Sequence, residues 1–563
     1  MKLSPVEFLR RCPKPFLLIV SAGLLLRLAG IDFGLPGTYH PDEPHHINLA
    51  VYFGSGDFNP HVFKYPTLWM YVLFILYGLF FVVWSGFGFL RGADDFGALF
   101  VWDPSAFYLI ARGASAFLGA AAIFPLYAMV KRLAGERAGL LAAGLWAVSP
   151  RLVNYGHVAK PDMLMLAFST LAWFLCARIL NGARDRRSYV LAGGAMGLAC
   201  SSQYTAGFIA PLLVLAHGLS QGRSWLRASA LAPLVLGYAA AVAAFFLGTP
   251  FALFDFQTFA RDLRDLLSYG QGALTGTPEK AGLAAAANLL VVLGWPALLG
   301  ALIVAAGAVL AWRKNRRAAL FGLLPLALGF VVMAVQSRQA AAERYVAALF
   351  PGVVLLASFA AEAPWLKTVK AAAKNWWWLL LIPGAWGAVG ISRDYLKPDT
   401  RTLAKEWIEE HIPEGSRILL DQIYLGPPLA MTKDQVERLY QKTSSIGHPR
   451  ARYFHLMLKG HPGGGYEILR MLRTSGELIS MERHTQWSQQ GYDLLDVERG
   501  LPALQEAGVR YALTSSEGAR ADTNPRLSKF FSDLESKTEL LRQFQPDDRT
   551  TGPALKIYRV FRR

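Results

Sequence analysis

Residues 105–137 read SAFYLIARGASAFLGAAAIFPLYAMVKRLAGER, an apolar run followed at once by a basic cluster. A helix of about 20 predominantly apolar residues crosses the hydrocarbon core of a bilayer. Lysines and arginines in the short loops between such runs mark the cytoplasmic ends of membrane helices. This stretch therefore predicts a membrane helix that ends on the cytoplasmic side.

The same alternation of apolar run and basic turn continues to about residue 392. Of the 563 residues, 53% are hydrophobic and 17% are charged, whereas soluble chains carry about 25% charged residues. The mean hydropathy is +0.29. Many of the basic residues behind the net charge of +17 lie in short loops, where they set topology, so the charge does not predict nucleic-acid binding. All three cysteines (Cys12, Cys176, Cys200) lie in or beside predicted membrane segments, so the C-terminal domain has no disulfide.

We predict a retained first helix over about 15–33, because its basic flank resembles a signal peptide but no small-residue cleavage site follows. This flank places the N-terminus in the cytoplasm and the next loop outside. Further crossings are predicted over about 105–130, 138–150, 162–180, 188–201, 205–220, 229–248, 287–311, 318–336, 345–362 and 375–392. The predicted fold is a multi-pass α-helical membrane protein with about 11 crossings, and an odd number places the C-terminal domain outside.

One further apolar run, about 67–89, is long enough to span but is not counted. An odd number of crossings must separate the outer loop at residue 34 from the cytoplasmic turn at 131, and two runs lie between them. The run at 67–89 is rich in aromatic residues and lacks a basic cluster at its far end, which is typical of interfacial segments. We therefore predict an interfacial or re-entrant juxtamembrane helix.

The first outer loop contains HPDEPHH at 40–46 and GDFNPHVFKYP at 56–66. Ionisable groups at a membrane edge are costly to place and are functional candidates by default. A carboxylate such as Asp42 or Glu43 can take the proton of an acceptor hydroxyl. A cation such as Lys64 can neutralise a departing phosphate. A structural alternative for Asp42 is an N-cap, because Pro44 and an apolar helix follow it.

Two further outer loops carry charged residues beside membrane helices. NYGHVAKPD at 154–162 ends in Asp162, which is either a second functional carboxylate or a helix cap. QSRQAAAERY at 336–345 contains Arg344, whose guanidinium suits a lipid phosphate or snorkels to the membrane edge.

The outer loops also hold five histidines that are candidate substrate or metal contacts: His40, His45, His46, His61 and His157. With the carboxylates they could hold a divalent metal, although their spacing matches no strong zinc signature such as His-Glu-x-x-His. Solvated or hydrogen-bonded histidines are the alternative, so metal dependence stays open.

These three loops resemble the GT-C glycosyltransferases, specifically the protein O-mannosyltransferases and lipid A aminoarabinose transferases of family 39 and its bacterial relatives. HPDE at 40–43 is similar to the acidic motif of their first outer loop, which implies Asp42 as the catalytic residue with Glu43 in support. FKYPTL at 63–68 resembles a segment whose lysine meets the donor phosphate, which implies that role for Lys64.

The resemblance extends over about 10–392. Asp162 stands where the family has a second acidic residue, and ERY at 343–345 followed by Pro351 is similar to the entry of a late helix, with phosphate contacts implied for Arg344 and Tyr345. The stretch from Gly197 to Tyr204 resembles a Gly-Leu…Lys-Tyr helix break, but Gln203 replaces the usual lysine. The family implies a juxtamembrane helix, a polyprenyl- or dolichyl-phosphate sugar donor and inversion at the anomeric carbon.

We divide the chain into a transmembrane domain, 1–392, and an extracytoplasmic α/β domain, 393–563. In the latter, the residue pattern predicts a helix over 400–411, a strand over 417–421, a helix over 501–507, and strands over 509–514 and 555–560. HPGGGY at 461–466 lacks the Lys-Ser/Thr of a phosphate loop and predicts a turn. DTRTLA at 399–404 resembles the start of the tails of uncharacterised bacterial members.

Three functions fit a protein of the cytoplasmic (inner) membrane. The first is an inverting glycosyltransferase that uses a polyprenyl-phosphate-linked sugar and a hydroxyl acceptor (protein, glycan or lipid). The second, a transporter or flippase of lipid-linked sugars, predicts charged or broken helices near the middle of the membrane. The third is a membrane-anchored binding protein. The gathering of polar loops on one face favours the first.

Overall fold

The computed structural model of the chain describes residues 13–272, 287, 289–336, 345–362, 371–421, 424–448, 450–472, 491–516 and 524–561. It divides into two compact units. The helical unit comprises Met1–Ile31, His45–Tyr77 and Ile110–Arg393. The α/β unit comprises Asp32–Pro44, Gly78–Leu109 and Asp394–Arg563, so it also contains parts of the chain that are far from its C-terminal sequence.

The chain up to residue 395 is almost entirely helical where it is described. Its α-helices are α1 Lys14–Leu28, α2 Glu43–Tyr52, α3 Leu68–Gly86, α4 Ala93–Trp102, α5 Ser105–Ala121, α6 Ile123–Leu133, α7 Glu136–Ala147, α8 Pro150–His157, α9 Asp162–Leu180, α10 Arg186–Ser202, α11 Pro211–Gln221, α12 Ala228–Gly248, α13 Phe251–Phe254, α14 Phe256–Gly272, α15 Ala297–Lys314, α16 Arg316–Gln336, α17 Phe350–Ser358 and α18 Ile382–Tyr395. Longer 3₁₀ segments are Tyr204–Ile209, Phe359–Glu362 and Ala371–Leu381.

Five helical stretches among the described residues are long and apolar enough to cross a membrane: Leu68–Gly86, Ser105–Leu133, Asp162–Leu180, Ala228–Gly248 and Ala297–Lys314. Together with the α/β unit described below, they confirm the predicted fold class. The number of crossings and the orientation in the membrane stay predictions.

Helices α10 and α12 pack with their backbones in contact. A Cβ atom added at Gly193 would lie 1.8 Å from the carbonyl oxygen of Gly237, and one added at Gly197 would lie 2.0 Å from that of Ala241. Small residues four apart let two membrane helices approach this closely. This contact positions the C-terminal end of α10, where the helix breaks.

The apolar run predicted as a juxtamembrane helix forms α3, which is followed by the unpredicted helix α4. Val101 and Trp102 pack against the apolar cluster of Val436, Leu439, Phe454 and Met457 in the α/β unit. Asp94 of α4 forms an ion pair with Lys459. The stretch Gly78–Leu109, which includes α4, is therefore part of the α/β unit, and whether α3 itself crosses the membrane stays a prediction.

The sheet of the α/β unit has six strands: β1 Arg417–Leu420, β2 Glu467–Leu472, β3 Leu494–Asp496, β4 Tyr511–Ser515, β5 Glu539–Phe544 and β6 Leu555–Arg559. Their order is β3-β2-β1-β4-β6-β5. The first four are parallel, and β6 is antiparallel to β4 and β5. The helices that accompany the sheet are α19 Thr400–His411, α20 Lys433–Ser445, α21 Arg450–Lys459, α22 Leu501–Glu506 and α23 Pro525–Lys537.

Apolar residues cover both faces of this sheet. Ala404 and Ile408 of α19 pack on one face, and Leu527, Phe530 and Leu534 of α23 pack on the other. The predicted turn at 461–466 is confirmed, since Gly463, Gly464 and Gly465 all have positive φ angles of 89°, 64° and 93°, which glycine adopts without strain.

Candidate active site

The backbone just before Lys64 is held through both the N–H and the carbonyl of Phe63. The N–H of Phe63 donates to Oδ2 of Asp262 at 2.8 Å, and the Tyr204 hydroxyl donates to the Phe63 carbonyl at 3.0 Å. The Phe63 ring is fully buried, whereas Lys64 is exposed. Lys64 therefore extends from a fixed backbone, which suits a cation that must meet a ligand in a defined place.

The residues that follow Lys64 are anchored in the helical unit as well. The Tyr65 ring packs against His45 and the fully buried His46, with centroids 5.4 Å and 4.8 Å apart. Thr67 donates its hydroxyl to the Gly248 carbonyl at 2.9 Å. Trp69 donates its indole N–H to the Ala159 carbonyl at 3.4 Å, which joins the segment to the loop before Asp162.

Asp162 is a buried carboxylate at the first residue of α9. Pro161 stands at the N-cap position of this helix, and Asp162 is its first helical residue. Its side chain is 2% exposed, and its Oδ2 lies 3.8 Å from Nζ of Lys160. Its Oδ1 has no hydrogen-bond partner among the described residues. A buried carboxylate oxygen left in this way is costly, which favours a functional role.

The predicted helix break after Gly197 is confirmed. Helix α10 ends at Ser202, Gln203 is extended with φ −156° and ψ 130°, and a 3₁₀ segment begins at Tyr204. The Gln203 side chain is 7% exposed, and its Oε1 has no hydrogen-bond partner within the described chain. After the break, the Tyr204 hydroxyl reaches the backbone of the Lys64 segment. The residue directly before Tyr204 is Gln203, whose side chain is a neutral amide.

Asp42 is half-buried and belongs to the α/β unit. Its backbone N–H donates to Nδ1 of His40 at 3.2 Å, and α2 begins directly afterwards at the fully buried Glu43. Tyr39 joins this short segment to α19, because its hydroxyl forms a hydrogen bond of 2.9 Å with Oγ1 of Thr402. Burial raises the pKa of Tyr39 to about 12, so this phenol stays protonated.

Arg401 connects the Asp42 segment to the sheet. Its guanidinium lies 4.0 Å from the Tyr39 ring centroid and donates to the carbonyls of Tyr39, at 3.2 Å, and Tyr424, at 2.6 Å. It also donates to both carboxylate oxygens of Asp399, from Nε to Oδ1 at 2.8 Å and from Nη2 to Oδ2 at 2.6 Å. Burial and the Tyr492 phenol raise the pKa of Tyr424, and Asp42 adds to this, which places the Asp42 carboxylate within electrostatic reach of that ring.

The family model of dolichyl-phosphate-mannose-protein mannosyltransferases matches residues 109–250. The crystal structure of ArnT from Cupriavidus metallidurans bound to undecaprenyl phosphate is similar with a TM-score of 0.51 and 14% identity, over 96% of this chain and 97% of that chain. Its apo structure gives 0.52 and 13%, over the same shares. The chain has the GT-C glycosyltransferase fold. The predicted resemblance to GT-C glycosyltransferases is confirmed. No curated protein sequence matches the chain.

Within this GT-C fold, His157 lies in the interior. It is fully buried, with Nδ1 2.9 Å from the Val153 carbonyl oxygen and Nε2 2.8 Å from that of Ala29. Both ring nitrogens therefore face backbone carbonyls, which ties α8 to the end of α1. These two contacts give His157 a structural role, and a ligand contact of this residue stays a prediction.

Two buried arginines outside the predicted motifs also donate to backbone carbonyls near the end of α1. Arg27 donates to the carbonyls of Trp146 and Ala147, both at 3.1 Å, at the C-terminal end of α7. Arg112 donates to the Ile31 carbonyl at 2.9 Å. Cationic side chains at helix C-termini satisfy carbonyls that have no partner within the helix. The helical unit thus fixes the chain just before it reaches Asp32.

The remaining predicted residues that the structure describes, His61 and Tyr345, are exposed. His61 is exposed, with Nε2 2.8 Å from Oδ2 of Asp57, and this hydrogen bond holds the pKa of Asp57 below its usual range. Tyr345 is 38% exposed, and Arg344 lies outside the described residues. No group of three or more His, Cys, Asp or Glu side chains in the described part of the chain is arranged to hold a metal.

Proposed function

We propose that the chain is an inverting glycosyltransferase of the cytoplasmic membrane. It transfers a sugar from a polyprenyl-phosphate donor to a hydroxyl acceptor on the outer face. The structurally similar ArnT from Cupriavidus metallidurans was crystallised with undecaprenyl phosphate, which supports a donor of this lipid class. The polar loops and their residue types support transfer rather than transport.

The observation that carries the proposal is a series of contacts in the helical unit that connects the Lys64 segment to the 3₁₀ segment lining two apolar cavities. Tyr204 bonds to the residue before Lys64 and opens the 3₁₀ segment Tyr204–Ile209. Ala206 and Ile209 of this segment line a cavity of about 320 Å³. Ala210 and Tyr238 line both this cavity and a second one of about 530 Å³.

This arrangement suits a ligand with an anionic head and a long apolar tail. The exposed ammonium of Lys64 would pair with the phosphate. The two cavities are lined almost wholly by apolar side chains, such as Leu215, Leu328 and Phe246, and would take isoprene units of the tail.

The chemistry assigned to the residues is a single displacement. The Asp42 carboxylate takes the proton from the acceptor hydroxyl, and that oxygen forms a bond to the anomeric carbon. The bond from the anomeric carbon to the phosphate oxygen breaks, and its electron pair leaves with the polyprenyl phosphate. Lys64, with Arg344 and Tyr345, stabilises the charge on the departing phosphate. Glu43 and Asp162 support the base and the donor, and one displacement inverts the anomeric configuration.

The direct test is binding of undecaprenyl phosphate to the purified full chain, measured by native mass spectrometry. Uncharged undecaprenol should bind less well, because it lacks the phosphate that Lys64 meets. The variant Lys64→Gln should weaken binding of undecaprenyl phosphate about tenfold, the order for one charge-assisted contact. Lys131→Gln is the matched control, because Lys131 pairs with Glu136 at a turn remote in sequence from the site. Equal binding of both lipids, or an unaffected Lys64→Gln, would contradict the proposal.

A further inference from the structure

The carboxyl ends of the parallel strands in the α/β unit carry a polar cluster that the proposed chemistry does not use. From β1 the chain proceeds to β2 and β3 on one side, and then returns to β4 on the other side of β1. In open α/β sheets, ligands bind outside the carboxyl ends of the strands at such a reversal of strand order. The edge that follows Leu420 and Ser515 is therefore a place where a ligand is expected.

The buried polar groups at this edge already have hydrogen-bond partners within the protein. Asp421 follows β1 and is fully buried, and Ser515 donates to its Oδ2 through both the backbone N–H, at 3.2 Å, and the hydroxyl, at 2.8 Å. Arg470 of β2 donates Nη1 to the Asp421 carbonyl at 3.2 Å. The Asp421 carboxylate joins β1 to β4, and the Arg470 guanidinium lies beside it at the edge.

Aromatic rings and a second guanidinium complete the cluster. The Arg450 guanidinium lies 3.8 Å from the centroid of the Tyr492 ring. Its stem packs on Gly491, where an added Cβ would come within 2.5 Å of the Arg450 Cδ. Burial and Tyr492 raise the pKa of Tyr424 while Arg450 opposes them, so these three side chains interact as one group. We call Tyr424, Arg450, Arg470 and Tyr492 the arginine–tyrosine cluster.

The Asp421 carboxylate offsets only part of the positive charge of this cluster, which carries two guanidinium groups. Arg401 and Arg438 of the same unit pair with Asp399 and Glu467. Arg450 and Arg470, by contrast, form no ion pair with any described carboxylate. Planar guanidinium groups match carboxylates and phosphates in a bidentate way. Two of them at a sheet edge, beside tyrosine faces, suit an anionic ligand that also has a ring to pack.

We propose that the arginine–tyrosine cluster binds the acceptor, and that this acceptor is a glycan carrying an anionic group. Its carboxylate or phosphate pairs with Arg450 and Arg470, and a sugar ring packs against Tyr492 or Tyr424. Arg401 donates to the carbonyls of both Tyr39 and Tyr424, so Tyr424 lies beside the segment of the same unit that contains Asp42, and a glycan held here brings a hydroxyl toward the proposed base. The inference rests on the proposed function, which it extends to the acceptor.

The test uses the full chain in lipid nanodiscs and saturation-transfer NMR with three simple sugars. Glucuronic acid and glucose 6-phosphate should both bind more tightly than glucose, and the ratio between the first two shows whether a carboxylate or a phosphate is preferred. Arg450→Gln should weaken binding of the preferred anionic sugar about tenfold, the order for a lost charged hydrogen bond. Arg450→Lys should restore part of this loss, and higher salt should weaken binding in the wild type.

Arg499→Gln is the matched control, because Arg499 is an exposed arginine of the same unit that pairs with Glu506, and binding should not change. Glucose binding as tightly as the anionic sugars, or an unaffected Arg450→Gln, overturns the inference. Tighter binding of an acidic peptide than of either anionic sugar also overturns it, in favour of a protein acceptor. Undecaprenyl phosphate binding is measured on the same samples: if that lipid binds but the sugars do not, only this inference fails, whereas loss of lipid binding defeats the proposed function itself.

Discussion

The two candidate carboxylates lie in different units and in opposite surroundings. Asp42 is half-buried in the α/β unit, among tyrosines and next to a segment clamped by Arg401. Asp162 is 2% exposed in the helical unit, with Lys160 at 3.8 Å and one oxygen that has no described hydrogen-bond partner. A general base must be reached by the acceptor and must shed its proton again, which fits Asp42. A buried charge beside a lysine fits an electrostatic role.

The contrast also concerns what each unit offers to a ligand. The helical unit combines the exposed Lys64 with apolar cavities, a combination suited to a lipid phosphate. The α/β unit combines guanidinium groups with tyrosine rings. We therefore assign donor binding to the first unit and acceptor chemistry to the second, and the substitutions below separate the two.

The largest expected effect is that of Asp42→Asn. Asparagine keeps the shape of the side chain but cannot take a proton, so turnover should fall by about 10³-fold. Turnover is measured as release of undecaprenyl phosphate from a panel of undecaprenyl-phosphate sugars, by mass spectrometry. Binding of undecaprenyl phosphate should stay within twofold of the wild type, because Lys64 and the cavities are in the other unit.

Asp32→Asn is the matched control for this prediction. Asp32 is an exposed carboxylate at the start of the same segment of the α/β unit, and its replacement should leave turnover unchanged. A fully active Asp42→Asn would remove the base from the mechanism. If Asp162→Asn alone abolished turnover, the roles of the two carboxylates would be reversed.

Asp162→Asn should lower turnover less than Asp42→Asn does, and it should not lower the melting temperature. Loss of one partly screened charge should lower turnover about tenfold. The melting temperature should be unchanged or higher, because the neutral amide removes the cost of a buried carboxylate oxygen without a described partner. A purely structural ion pair with Lys160 predicts the reverse, namely a lower melting temperature with turnover intact.

The sequence predicted local features well and distant contacts poorly. The start of α9 at Asp162 and the break after Ser202 follow from local hydrophobicity and from a motif, and both are confirmed. The bond from Arg401 to the Tyr39 carbonyl joins residues 362 positions apart. No periodicity within either segment encodes that contact, although the motif at 399–404 marked the region.

The smallest expected effect tests whether the helix break positions Lys64. Tyr204→Phe removes the hydroxyl that donates to the Phe63 carbonyl at 3.0 Å and leaves the ring in place. Loss of one neutral hydrogen bond costs about 1 kcal/mol, so the affinity for undecaprenyl phosphate should fall about fivefold.

Tyr189→Phe on α10 is the control, because its buried hydroxyl bonds His217 at 2.7 Å and the Lys64 segment is not involved. Similar melting temperatures for both variants, with weaker lipid binding only for Tyr204→Phe, would show that the break orients the lysine. Equal lipid binding by the two would mean that Lys64 needs no such support, and that the helical unit binds its lipid mainly through the apolar cavities.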